Sequence, residues 1–349
     1  MAVDKELVLV TGASGFLGAH CVKALLDKGY RVRGTVRSLK NAHKVEPVRK
    51  LDPSGARLSL VEADLNKKDG WEKAVSGCDY VLHVASPFPL GGTQETIDTA
   101  IAGTKNVLEA CAEEISVKKV VLTSSVAAIS EGHRASKERI DESFWSLLEG
   151  AVAYVKSKTL AERAAWDYVN QKTHKNNFPL TTINPGFIIG PPLTDDKGSS
   201  VEVIMQMMSL PAVPRITFGC IDVRDVAKAH VEAMERPESN GMRVICAEAD
   251  PHYMVELGKR LQREFASQGY SPAAKTLPDF IIKIGSLFSA QFSAIVGRLG
   301  HETRFDNTRL REVLHVQPND SREALVDMVY ELIDRGIIKK TTKYRPRKA

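Results

Sequence analysis

The sequence predicts an α/β protein: a doubly wound parallel sheet carrying a smaller, mostly helical lobe. Three observations support that expectation. Short apolar runs alternate with stretches of helical periodicity over the first ~250 residues. A glycine-rich turn separates the first apolar run from the first helical stretch. After Tyr253 the strand-like runs stop and helical patterning takes over.

Residues 8–18 read VLVTGASGFLG. Val8, Leu9 and Val10 are an apolar run of the kind that forms a buried parallel strand. Thr11 and Gly12 open a loop with glycines at 12, 15 and 18. From Phe16 the pattern turns helical: Phe16, Leu17, Val22, Leu25 and Leu26 share one face, and Gly29 stops it. Glycines between a strand and a helix permit a tight turn and let main chain approach a diphosphate. The helix start adds N–H groups and partial positive charge. The spacing is GxxGxxG and the expectation is a Rossmann-type nucleotide site at Gly12, Ser14, Gly15, Phe16, Leu17 and Gly18.

Residues 31–37, RVRGTVR, form a second strand. An acid at its end would hold a ribose 2′-hydroxyl, whereas a basic residue there suits a 2′-phosphate. The strand ends in Arg37, with Lys40 and Lys44 following and no acid until Glu46, which favours NADP over NAD. Strands are expected at 57–61, closed by Asp64-Leu65, and at 79–85. Ser86-Pro87-Phe88-Pro89 breaks the chain at the carboxyl end of the latter, where ligands sit in open parallel sheets. A helix over 96–112 leads to a fifth strand, 119–124, ending at Ser124-Ser125. A polar loop, 131–143, precedes a helix over 154–172 and a sixth strand at 180–184.

The prolines and glycines of PGFIIGPP, 185–192, mark an ordered loop rather than an element. Residues 200–210 form a methionine-rich helix suited to a pliable wall. Residues 222–235 form a helix capped by Asp222, and 242–246 a late strand returning to the sheet. The expected nucleotide-binding part is 1–190 with 216–247. The substrate lobe is 191–215 with 248–338, and 339–349 is a basic tail.

Composition narrows the function classes. The net charge of +5 is mostly tail: Lys339, Lys340, Lys343, Arg345, Arg347 and Lys348 lie in a segment without acids, which leaves the rest near −1. No nucleic-acid footprint is expected, and the tail reads as a frayed, solvated terminus. Five scattered cysteines show no CxxC pair and no metal-ligand spacing. They read as reduced core thiols in a cytoplasmic protein. No signal peptide is apparent. The stretch 280–296 is broken by Lys283 and Gln291. It reads as an amphipathic helix, not a membrane span.

Tyr154 and Lys158 stand four apart on one predicted helix, within about 6 Å at Cβ. An ammonium beside a phenol favours phenolate, so the expectation is a Tyr154 lowered toward neutrality and able to donate and accept a proton. Ser125, at the end of the fifth strand, stands where a substrate oxygen would be held beside it.

With these residues in place, the chain resembles an extended short-chain dehydrogenase/reductase. It is most similar to the dihydroflavonol reductase, cinnamoyl-CoA reductase and fungal aldehyde/ketone reductase group. The similarity runs from about residue 6 to about 250 and rests on TGASGFLG, RGTVR, Asp64-Leu65, HVASP, LTSS, DESFW, YVKSKTLAE, NPGFIIGP and DVRDVAKAH. It implies a catalytic triad of Ser125, Tyr154 and Lys158, with Lys158 also on the nicotinamide ribose. It implies Arg37 and Lys44 on the 2′-phosphate of NADPH or NADP+, Asp64 and Leu65 on the adenine, and Val84, Ala85 and Ser86 along the cofactor. Pro185, Gly186 and Ile188 would meet the carboxamide, and Ser200 the diphosphate side.

Two departures narrow the substrate. Cinnamoyl-CoA reductases carry NWYCY around the tyrosine, where this chain has EGAVAYVKSK. Plant dihydroflavonol reductases place an asparagine five residues beyond the serine, where this chain has Ser130. The implied activity is NADPH-dependent reduction of an aldehyde or ketone, with Phe88, Ile129, Phe187 and Met205 as apolar walls. A sugar-nucleotide epimerase or dehydratase, a 3β-hydroxysteroid dehydrogenase and a non-enzymatic NADP-sensing module are the alternatives. The partner is a small carbonyl compound, and monomer and homodimer are both open.

Overall fold

A computed structural model describes residues 6–87, 92–133, 139–196, 198–288, 292 and 295–347. Seven parallel strands form one sheet. In chain order they are β1 (Leu7–Val10), β2 (Arg31–Val36), β3 (Leu58–Glu62), β4 (Tyr80–His83), β5 (Lys119–Thr123), β6 (Leu180–Pro185) and β10 (Arg243–Cys246). Across the sheet they run β10-β6-β5-β4-β1-β2-β3. The order reverses at β1, which is flanked by β2 and β4. Such a reversal opens a crevice at the carboxyl ends of the strands.

Strand alternation explains the layers. Val8 and Val10 face one side, into a core with Val22 and Leu25 of α1 (Phe16–Asp27) and Val226 and Ala229 of α7 (Val223–Glu235). Leu9 points the other way. It joins Trp71 of α3 (Trp71–Val75), Val107 and Leu108 of α4 (Gln94–Glu113) and Ala165 of α5 (Ala153–Asn170). A further helix, α2 (Ala42–Arg49), follows β2. Periodicity did not announce it; Asn41 caps it, accepting from Lys44 N at 3.3 Å.

A second core gathers α6 (Ser199–Ser209), α8 (Met254–Phe265) and the last helix, Ser321–Asp334. It takes residues from the expected lobe, but also Ile189 and Cys220 from the stretches expected with the nucleotide-binding part.

Three expectations are corrected. Within PGFIIGPP, residues Phe187–Ile189 form a short strand, β7, paired in parallel with β9 (Cys220–Asp222). An apolar triplet between turn residues finds a distant partner that local sequence does not reveal. The helix expected over 280–296 is interrupted: α9 (Asp279–Gly285) gives way to a turn at 286–288, and residues 292, 295 and 296 are again helical. α9 ends where Gly285 lies so close to Phe292 that a Cβ would meet that ring at 2.3 Å. The basic tail docks as far as residue 347. Tyr344 packs against the second core, Arg345 N donates to Gln268 Oε1 at 3.0 Å, and Arg347 pairs with Asp327 and Glu323. An aromatic anchor and acids on the last helix compensate the cost of ordering it.

All five cysteines are buried and unpaired. Among the described residues, no helix is long and apolar enough to cross a membrane.

Candidate active site

The crevice at the strand ends is a cleft of about 760 Å³. One end is made of backbone. Gly12 has a φ of +68°, which favours glycine, and its carbonyl oxygen lies 2.1 Å from where a Cβ on Gly18 would sit. Only glycine lets α1 start this close to the loop. Thr35 of β2 supports the turn, accepting from Gly12 N through Oγ1 at 2.9 Å and from Ala13 N through its carbonyl at 3.0 Å. Thr11 Oγ1 accepts from Ala85 N at 2.9 Å and meets His83 Nδ1 at the same distance, tying β1 to β4.

The other end is made of side chains. Ser125 caps a 3₁₀ turn beyond β5, its Oγ accepting from Ala127 N at 3.1 Å. Tyr154 and Lys158 project from the first turns of α5. The Tyr154 hydroxyl donates to Ser125 Oγ at 3.4 Å, and Lys158 Nζ donates to Ser86 Oγ at 3.0 Å. One turn further, the fully buried Glu162 anchors the helix. It accepts from Arg243 Nε at 2.6 Å, Asn184 Nδ2 at 2.8 Å and Ser124 Oγ. This network links α5 to β5, β6 and β10 and holds Lys158 and Tyr154 at a set height over the sheet.

Electrostatics differ from the sequence expectation here. Burial pushes the Tyr154 phenol above its ordinary value, while the Ser125 hydrogen bond and the charge of Arg298 pull it back. Lys158 is itself pushed down to about 8 by burial, with Glu162 opposing. Its hydrogen bond goes to Ser86 rather than toward the phenol. So Tyr154 keeps its proton through the neutral range, the state required of a donor.

Every residue assigned to the cofactor lines the cleft: Gly12, Ser14 to Gly18, Arg37, Lys44, Asp64-Leu65, Val84 to Ser86, Pro185, Gly186, Ile188 and Ser200, with Ser125, Tyr154 and Lys158. The substrate walls fare less well. Phe187 lines the cleft and stacks on Phe218 at 4.5 Å, with Arg298 over the far ring at 5.5 Å. Ile129 does not reach the cleft; it is fully buried with Ile140, Ile245 and Phe305, because the 3₁₀ turn directs it inward. Met205 packs against the second core on α6 and is also absent from the cleft wall. Phe88 lies outside the described residues.

Sequence reasoning missed Thr35, Asn41, Phe218 and Asp196. The threonine of RGTVR and the cap at Asn41 were visible locally. Phe218 and Asp196 arrive by tertiary contact alone.

The donors fit a phosphorylated dinucleotide. Glycines keep the diphosphate end clear of side chains, and two cations, Arg37 and Lys44, stand beyond β2. Comparison with known proteins agrees with this geometry. Residues 8–246 match the model of the NAD dependent epimerase/dehydratase family. Cinnamoyl-CoA reductase CAD2 of Medicago truncatula is 38% identical over 258 residues, covering 71% of this chain and 78% of that one. The solved structure of yeast methylglyoxal/isovaleraldehyde reductase Gre2 with NADPH aligns at a TM-score of 0.79 and 29% identity. It covers 95% of this chain and 100% of that one. Gre2 of Candida albicans with NADPH aligns at 0.78 and 30% identity, covering 94% and 99%.

Proposed function

Because this chain belongs to the NAD dependent epimerase/dehydratase family, among its extended short-chain reductases, we propose that it uses NADPH to reduce an aldehyde or ketone through Ser125, Tyr154 and Lys158. The observation that carries the proposal is the 3.4 Å contact of Tyr154 with Ser125 beside Lys158, in the cleft whose far end is the glycine loop. When bound, NADPH supplies the hydride that a carbonyl carbon accepts. Ser125 Oγ holds the carbonyl oxygen beside the phenol, and Tyr154 gives that oxygen its proton. Lys158, fixed by Glu162 behind it, offers its Nζ to ribose hydroxyls. Arg37 and Lys44 take the 2′-phosphate and Asp64-Leu65 flank the adenine. The stacked Phe187–Phe218 wall suits a substrate with an apolar body.

The rival readings fit less well. Epimerases and dehydratases on this fold usually keep NAD, and here β2 runs into Arg37 with no acid. A non-enzymatic sensor has no need of a serine, tyrosine and lysine brought to one wall. A small-molecule partner and a reducing, cytoplasmic setting belong to the same reading, supported by five free buried thiols.

The test is NADPH oxidation by the purified protein against a panel of aldehydes, diketones and flavanones. Turnover of at least one carbonyl class with NADPH, and much less with NADH, is the expected outcome. Inactivity across the panel combined with tight NADPH binding would favour the sensor.

A further inference from the structure

We propose that Asp196 tunes the preference for a 2′-phosphorylated dinucleotide by sharing Lys44 with that phosphate. The inference rests on the reading of the cleft as an NADPH site and extends it to a residue beyond the glycine loop and β2.

Segment 191–196 crosses the glycine-loop end of the cleft as a strap. His20 Nε2 on α1 donates to the Pro191 carbonyl at 2.9 Å, and Thr194 Oγ1 donates to the Ser14 carbonyl at 3.2 Å. Asp195 turns outward, taking Arg335 at 3.1 Å and lying 3.6 Å from His43 Nδ1. Asp196 turns inward. It pairs with Lys44 of α2, and its Oδ2 stands 3.9 Å from where a Cβ on Gly15 would be. Two adjacent carboxylates therefore have different surroundings, and only one of them lines the cleft.

Lys44 is thus claimed twice, by Asp196 and by the phosphate. The side chains of Lys44 and Asp196 are 36% and 26% exposed, so water and salt screen their attraction and the pair is weak. A phosphate of nearly two negative charges can take the ammonium over. It must still lie near the displaced carboxylate, which repels it. NADH has no phosphate at this position and is indifferent to the exchange. Asp196 therefore lowers NADPH affinity more than NADH affinity, since its charge also reaches the diphosphate that both cofactors carry but only NADPH competes for Lys44.

The experiment measures dissociation constants of NADPH and NADH by cofactor fluorescence on the whole protein, without substrate. Asp196→Asn is expected to tighten NADPH on the order of three- to tenfold, the sum of a released surface pair and a removed like charge. NADH should tighten distinctly less. Asp195→Asn, on the same strap, should leave both constants alone. In a Lys44→Met background the gain from Asp196→Asn should shrink to the repulsion alone. Weaker NADPH binding by Asp196→Asn would overturn the inference, since it would make Asp196 a support that positions Lys44. Equal tightening of NADH, or an equal effect of Asp195→Asn, would also overturn it, because the strap and not the shared cation would be acting. If Lys44→Met alone left NADPH binding unchanged, the 2′-phosphate assignment would fall together with the inference.

Discussion

At the glycine-loop end of the cleft, binding is a property of the backbone; at the Tyr154 end it is a property of side chains carried in from three elements. The loop presents N–H groups and the absence of Cβ atoms, so its shape is set by Gly12 and Gly18 lying against each other. The reactive end depends on Ser125 beyond β5, Ser86 beyond β4 and two residues of α5, aligned by the buried carboxylate of Glu162. The contrast teaches how each end should fail. A lost hydroxyl should abolish chemistry while binding survives, whereas an added methyl at the loop should damage binding and stability together.

The sharpest separation is at Tyr154. Tyr154→Phe removes the proposed proton donor and keeps the ring, so kcat should fall on the order of 10²–10⁴-fold. NADPH affinity, measured by cofactor fluorescence, should stay nearly the same. A matching loss of NADPH affinity would erase the distinction between the two ends.

Gly18→Ala is the reciprocal case. Its Cβ would sit 2.1 Å from the Gly12 carbonyl oxygen, so main chain has to move. NADPH should bind at least about tenfold more weakly, equal to one lost hydrogen bond to a charged group. Overpacking should also cost ~1–3 kcal/mol of stability in chemical unfolding. A variant with unaltered binding would show that the loop tolerates more displacement than its packing implies.

The narrowest effect, confined to one pH window, concerns Lys158, which is pushed down to about 8 by burial from an ordinary value of 10.5. Between these values the unfolded chain holds a proton that the folded chain has released, so through this group stability rises with pH. Lys158→Met deletes that dependence. Relative to wild type, the variant should be most favoured at pH 7 and lose the advantage toward pH 10. Urea unfolding at both pH values measures it. A constant difference would mean that Lys158 keeps its proton in the fold.

Much of this was legible because it is local. The apolar triplets, the glycine spacing, the Asp222 cap and the YxxxK pair on one helical face each follow from residues within a turn or two of one another. Tyr154 is the converse case, its phenol raised where helical spacing alone predicts a lowering. Helical spacing brings Lys158 near, but burial and the direction of its Nζ decide what it does. Phe187–Ile189 looked like loop because its partner strand lies some thirty residues on. Ile129 was expected as a pocket wall, but an apolar residue shortly after Ser125 says nothing of which way a 3₁₀ turn will point it.

The sequence by itself determined the sheet, the cationic end of β2 and the helical pairing of Tyr154 with Lys158, since these are written in periodicities and short spacings, and its motifs carried the family resemblance. Tertiary structure alone decided that burial raises the Tyr154 phenol, and it supplied the aromatic partner of Phe187, the docking of the tail and the meeting of Asp196 with Lys44. Those are consequences of burial and of contacts between residues far apart in the chain, and no local pattern encodes a desolvation cost or a distance through space.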